Sequence, residues 1–134
     1  MPLTLEIVTP EGRMLEKTVD TVVLTTSTGE VGILPGHIPL TTMLEAGPLR
    51  LGSGVTAESL VVGRGFALVE NDRVSVLTDS AINEAQIDEA AVEEAMARAQ
   101  KALAEKGDLD PAEVERLESV VRFSVAQLLV KKKR

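Results

Sequence analysis

The stretch that decides the fold is residues 73–96, RVSVLTDSAINEAQIDEAAVEEAM, because the chain changes its physical character inside it. Its first third, Val74-Ser75-Val76-Leu77-Thr78, is β-branched and alternating, the pattern of a half-buried strand. Its last third opens with Ile87-Asp88-Glu89-Ala90-Ala91-Val92, where Asp88 is placed as an N-cap and Ile87 faces Val92 as a hydrophobic staple. The contrast extends outward on both sides. Residues 1–80 carry nine of the ten glycines, five of the six prolines and 25 Val, Ile or Thr, whereas residues 81–134 carry eleven of the fourteen alanines and eight such β-branched residues. The expected fold class is therefore α+β: an N-terminal β-sandwich or flattened barrel over residues 1–82, then an antiparallel two-helix hairpin over residues 83–134.

On the strand side, Leu3, Leu5 and Ile7 alternate with Thr4, Glu6 and Val8, and Pro10-Glu11-Gly12 supplies a turn. Further strands are expected at Thr18 to Thr26, Leu49 to Leu51, Val55 to Val62, Phe66 to Glu70 and Val74 to Thr78, with Asn71-Asp72 as a two-residue hairpin loop. The segment from Thr28 to Leu40, with three glycines and two prolines, reads as a shaped loop or a sandwich corner.

On the helix side, Val92, Met96, Ala99 and Leu103 recur at helical spacing before Gly107. A second helix opens at Asp110-Pro111-Ala112-Glu113, with Leu109 and Val114 as its staple and Val114, Leu117, Val121, Val125 and Leu128 as its stripe. Ala95, Ala99 and Ala102 suit close approach of the two axes. Two helices alone bury little, so the hairpin needs the sandwich or another protein to lean on. It is also polarised: residues 81–115 carry a net charge of −7 and residues 116–134 a net charge of +5, ending in the run Lys131-Lys132-Lys133-Arg134. That run reads either as a solubilising tail or as a docking element for an acidic surface.

The composition excludes several classes of function. Absence of cysteine removes disulfides, thiolate zinc sites and cysteine nucleophiles. A net charge of −7 and only two aromatic residues, Phe66 and Phe123, speak against nucleic acid. The opening residues carry no basic and apolar leader pattern and no stretch reaches the length of a membrane span, so direct membrane insertion is not expected. The only histidine, His37, lies in the Gly/Pro segment without a nucleophile or convergent carboxylates, so neither a triad nor a metal site is expected. Gly63-Arg64-Gly65 lacks the third glycine and the following helix of a dinucleotide fingerprint. Elimination leaves a structural or regulatory interaction protein.

The ordered set Thr28-Gly29-Glu30-Val31-Gly32-Ile33-Leu34-Pro35-Gly36-His37-Ile38-Pro39-Leu40, Glu45-Ala46-Gly47-Pro48-Leu49, Gly63-Arg64-Gly65-Phe66-Ala67-Leu68-Val69 and Val74 to Ala81 resembles the epsilon subunits of bacterial and chloroplast F-type ATP synthases. The resemblance implies a non-catalytic rotor subunit of the central stalk, peripheral on the cytoplasmic face of the cell membrane, that couples proton translocation to ATP synthesis. Its implied partners are the gamma subunit, the ring of c subunits and, transiently, the alpha and beta subunits of the catalytic head. It places Glu30, Val31 and Gly32 against the ring and His37 at the gamma or ring interface. It also implies that the hairpin regulates ATP hydrolysis, with Arg116, Arg122 and the terminal basic run meeting an acidic segment of the head. Some members of that family bind ATP in the hairpin; here Ile87 and Asp88 match their motif and Arg98 and Arg122 are further candidates. Ala91, however, stands where the motif has its arginine, so the bidentate phosphate partner is missing and no cofactor is expected. The alternative reading from another class is a free-standing β-sandwich that binds a small ligand or peptide beneath a helical lid. A third, a hydrolase using His37, has no substrate suggested by the chain.

Overall fold

The computed structural model describes residues 2–52, 57–105 and 110–132. Ten strands come first: β1 (Leu3–Thr9), β2 (Gly12–Val19), β3 (Val22–Thr26), β4 (Gly29–Ile33), β5 (Leu40–Leu44), β6 (Gly47–Leu51), β7 (Glu58–Val62), β8 (Gly65–Glu70), β9 (Arg73–Thr78) and β10 (Ala81–Asn83). A 3₁₀ turn at Glu84–Gln86 leads into α1 (Glu89–Ala104) and α2 (Pro111–Lys132). The strands run in the order β10-β7-β6-β3-β5-β8-β9-β1-β2, with β4 attached to β3, and the ladders are antiparallel except for β1 against β9. The architecture is a β-sandwich followed by two helices, as the change in composition predicts.

Period-two alternation builds the core. Leu3, Leu5 and Ile7 of β1 meet Val22 and Leu24 of β3, Leu49 and Leu51 of β6, and Val69, Val74 and Val76 of β8 and β9 in one apolar cluster. The Asn71-Asp72 loop takes positive φ at both residues, 53° and 59°, which joins β8 and β9 through the Glu70–Arg73 pair with the twist antiparallel strands require.

The strand expectations fail in four places, the simplest being β10, a strand at Ala81–Asn83 beyond the last one expected. The run from Thr18 to Thr26 is divided at Asp20-Thr21, where the chain leaves β2 and enters β3. The edge strand β2 extends well before this run, and its mostly exposed sequence GRMLEKTV carries no inward alternation to announce it. The Thr28 to Leu40 segment is not all loop either: Gly29–Ile33 is a strand paired along its whole length with β3, and Leu40–Leu44 is a strand paired with β8. Glycine and proline signals masked both. The expected start of β7 at Val55 lies outside the described residues, as do Gly107 and Leu109.

The helices keep their caps. The Asp88 carboxylate accepts the Ala91 N–H at 3.2 Å and the Asp110 carboxylate accepts the Ala112 N–H at 3.1 Å. A second apolar cluster, distinct from the sandwich core, seats the hairpin: Val61 of β7, Ile87 and Ala126 are buried there, and Ala46, Ile82, Val92, Phe123 and Val130 pack around them. Val61 points outward from the sheet between the inward Leu60 and Val62, so it belongs to the seat alone. The stripe of α2 is rotated from expectation. Leu117 and Leu128 are buried as predicted, but Val125 is exposed and Ser124, Ala126 and Gln127 take the covered face. Ser124 and Gln127 stay satisfied by bonding to the Val120 and Phe123 carbonyls one turn back.

Candidate partner interfaces

Glu30 stands on the outer face of the sandwich, its carboxylate 2.7 Å from the Arg50 guanidinium of β6, with both side chains about half exposed. Val31 turns inward and packs on the core, while Gly32 is exposed, with nothing near the position of a Cβ. Glu30 and Gly32 thus share one exposed face of β4, the alternation expected of a strand.

His37 follows a tight turn. The His37 N–H donates to the Leu34 carbonyl at 3.1 Å with Pro35 and Gly36 at the central positions, and Gly36 has the positive φ, 85°, that a type II turn demands there. The turn is tied to the β8–β9 loop, because the Gly36 N–H donates to Asp72 Oδ1 at 2.7 Å. His37 Nδ1 lies 2.7 Å from the Ile38 carbonyl, an acceptor only, so Nδ1 carries the proton in the neutral ring.

A third feature escaped the sequence reading. Met43, Phe66 and Leu77 are paired neighbours across β5, β8 and β9, and they are 64%, 53% and 51% exposed. Leu68 lies two residues along β8 on the same face, and the exposed Leu34 and Ile38 flank the turn before β5. A contiguous exposed apolar ladder on a sheet is the usual mark of a protein partner. The signal was present in Phe66 and Leu68, large apolar residues at the outward positions of β8, but a run apolar on both faces does not say which face is the core.

Beyond that ladder, Leu77 pairs with Val8 of β1, and a charged cluster covers the adjoining outer face. Arg13 reaches Glu6 at 2.9 Å, and Arg73 reaches both Glu6 at 3.2 Å and Glu16 at 3.0 Å. Hydrogen bonds that Arg73 donates to Glu16 and then to Glu6 hold its guanidinium above its ordinary value.

On the helices, Arg116 makes a two-point pair with Glu113 at 2.6 Å and 3.1 Å. That contact lowers the Glu113 carboxyl below its ordinary range and raises Arg116. Arg122 donates to Glu115 and to the Ser119 hydroxyl, both at 2.9 Å, and Arg98 pairs with Glu94 at 2.9 Å. Ile87 is buried in the hairpin seat and Asp88 is occupied by its cap. The phosphate-binding candidates thus all have structural partners within the chain. Of the terminal basic run, Lys131 donates to the Glu84 carbonyl at 3.2 Å, fastening the end of α2 to the 3₁₀ turn; Lys133 and Arg134 lie outside the described residues.

Nothing among the described residues forms a group of three or more potential metal ligands. The clefts are open surface features of about 240 to 400 Å³. No described helix is long and apolar enough to cross a membrane.

Comparison with known proteins gives a consistent family. Residues 2–84 match the family model described as ATP synthase, Delta/Epsilon chain, beta-sandwich domain. The ATP synthase epsilon chain of Granulibacter bethesdensis is 44% identical over 79 residues, 58% of this chain and 58% of that relative. That of Prochloron didemni is 41% identical over 81 residues, 60% of each. The chain thus aligns with somewhat under two thirds of the length of these relatives. In fold, it resembles a chain of the Euglena gracilis mitochondrial ATP synthase OSCP/F1/c-ring assembly, with a TM-score of 0.74 at 22% identity over 96% of this chain and 81% of that one. A chain of the Tetrahymena thermophila mitochondrial ATP synthase central stalk and c-ring gives a TM-score of 0.59 at 14% identity over 98% and 97% of the two chains.

Proposed function

This chain belongs to the ATP synthase delta/epsilon chain family, and from that premise we propose that it is the non-catalytic epsilon subunit of the central stalk of an F-type ATP synthase. The sandwich is the coupling platform. It docks the gamma subunit and rests on the ring of c subunits, so that rotation of the ring is passed to the catalytic head. The observation that carries this reading is the Met43–Phe66–Leu77 ladder, an apolar surface laid across three adjacent strands of a rigid core and left open to a partner. The Glu30, Val31 and Gly32 segment meets the ring, and His37, with its Nε2 not used in the Ile38 contact, lies at the margin of the same assembly.

The helical hairpin has the second role, regulation of ATP hydrolysis. Its support is the smallness and separateness of its seat: a few apolar side chains hold it, and none of them belongs to the sandwich core. A segment so held changes hosts when a partner offers it comparable burial. Arg116 and Arg122 suit that exchange, because solvent-exposed ion pairs such as Arg116–Glu113 contribute only about 0–1 kcal/mol and are readily traded for carboxylates elsewhere. The subunit is peripheral at the membrane surface through these partners.

The test is ATP hydrolysis by the assembled catalytic head with the full chain and with a chain ending at residue 83. The shortened chain should still join the complex, and hydrolysis should rise. Equal hydrolysis with both chains removes the regulatory role; failure of both to join the complex removes the stalk assignment.

A further inference from the structure

The strand that carries Glu30 has one unpaired edge, and the ladder geometry shows which backbone groups it presents. In antiparallel pairing, residues alternate between pairs that exchange hydrogen bonds and pairs whose N–H and C=O groups point away from each other. Thr25 lies opposite Glu30 and Val23 opposite Gly32. The Thr25 carbonyl accepts the Glu45 N–H at 3.1 Å, on the side away from β4. The Thr21 carbonyl, four residues back and so facing the same way, accepts Gly52 N–H at 2.9 Å. Thr25–Glu30 and Val23–Gly32 are therefore the pairs without mutual hydrogen bonds. The N–H and C=O of Glu30 and Gly32 must then point outward from the free edge of β4, and β3 is the only strand paired with β4 among the described residues.

The two terminal strands of the sheet order are protected. The outer strand β2 carries Arg13 and Lys17, both engaged in ion pairs, and β10 is three residues long. The β4 sequence, Gly-Glu-Val-Gly-Ile, has no lysine, arginine or proline to blunt it.

We propose that the free edge of β4 receives an extended segment of the ring-facing partner by strand addition, hydrogen-bonded to the backbone of Glu30 and Gly32. This rests on the reading that Glu30, Val31 and Gly32 meet the ring. The occupant is a short extended segment without proline at its pairing positions and with a basic side chain opposite Glu30. There the incoming cation shares or replaces Arg50, an exposed pair that costs little to exchange. The Cβ position of Gly32 is open and lies on the sheet face, out of the hydrogen-bonding edge, so a methyl added there leaves the edge free. A second copy of this chain suits the edge poorly, because each copy brings a net charge of −7.

The test compares amide hydrogen exchange in the free chain and in the reconstituted complex that includes the ring. The Glu30 and Gly32 amides should exchange freely in the free chain and at least about tenfold more slowly in the complex, whereas Val31 and Ile33, bonded to β3, are protected in both. Gly32→Pro removes only an outward N–H, so it should fold with an unchanged melting temperature and bind the ring-containing complex about tenfold or more weakly; Gly32→Ala, which keeps the N–H, should bind normally. Equal binding by the two variants, or unchanged exchange at Glu30 and Gly32 in the complex, overturns strand addition. If Glu30→Cys cross-links to a c subunit while those amides stay open, the interface survives and strand addition fails; if no cross-link forms, both fail. Concentration-dependent protection of the same amides in the free chain overturns the proposal in favour of self-pairing.

Discussion

Val61→Asp separates the two modules of this chain without touching the core of either. Val61 is 0% exposed, yet its side chain lies outside the sandwich core and is covered by the hairpin. Burying a Val, Ile or Phe side chain completely contributes about 1.5–3 kcal/mol. With Val61 and Ile87 buried and Val92, Phe123 and Val130 partly so, the seat gains about 6–10 kcal/mol gross, from which the entropy of ordering the helices must be subtracted. An ionised carboxylate stranded in that seat costs several kcal/mol, which is enough to cancel the remainder. Undocking exposes the introduced carboxylate to water on the outer sheet face and relieves the cost, so the sandwich has no reason to unfold. The assay is hydrogen exchange with limited trypsin digestion. Amides of α1 and α2 should lose protection, and cleavage after Arg98, Lys101, Arg116 and Arg122 should speed up by about tenfold or more, with strand amides still protected. Val61→Ala should be milder, as a cavity rather than a charge. Helices equally protected in Val61→Asp and the parent chain would refute the reasoning, as would loss of the strands together with the helices.

Other outcomes follow from single contacts. Gly65→Ala should prevent folding or destabilise the sandwich by more than about 3 kcal/mol in denaturant titration, because a Cβ there would lie 1.9 Å from the Leu77 carbonyl oxygen. Asp88→Ala should cost about 1 kcal/mol through loss of the α1 cap, read as lower helix protection with the strands unchanged. The lowered carboxyl of Glu113 contributes stability that is present above its ordinary value and lost as pH falls through the lower folded value. Glu113→Gln should therefore flatten the acid limb of α2 unfolding, and added salt should shrink the difference because the pair is exposed.

Much of this fold was legible because two periods coincide with burial. Leu3, Leu5 and Ile7 declare their strand, and Asp88 and Asp110 each start a helix through a cap that depends on neighbours within three residues. The missed strands have different causes. β5 is specified by a partner distant in sequence, β8, whereas β4 forms a local hairpin with β3 but carries glycines that locally favour turns. The rotation of α2, which exposes Val125 and covers Gln127, is set by the shape of the seat around Val61. Glu30 was legible by resemblance alone. Its Arg50 partner, twenty residues away on β6, and the outward ladder through Met43, Phe66 and Leu77 depend on strand order, which no local pattern encodes.

The most direct measurement is the binding of the purified gamma subunit by this chain and by Phe66→Glu. Phe66 is exposed at the middle of the ladder, so the substitution leaves the core intact while setting a charge where a partner would exclude water. A one-to-one complex with the parent chain, weakened by about a hundredfold or more in Phe66→Glu at unchanged melting temperature, is the predicted result. Absence of binding by the parent chain, or equal binding by both, would contradict the account.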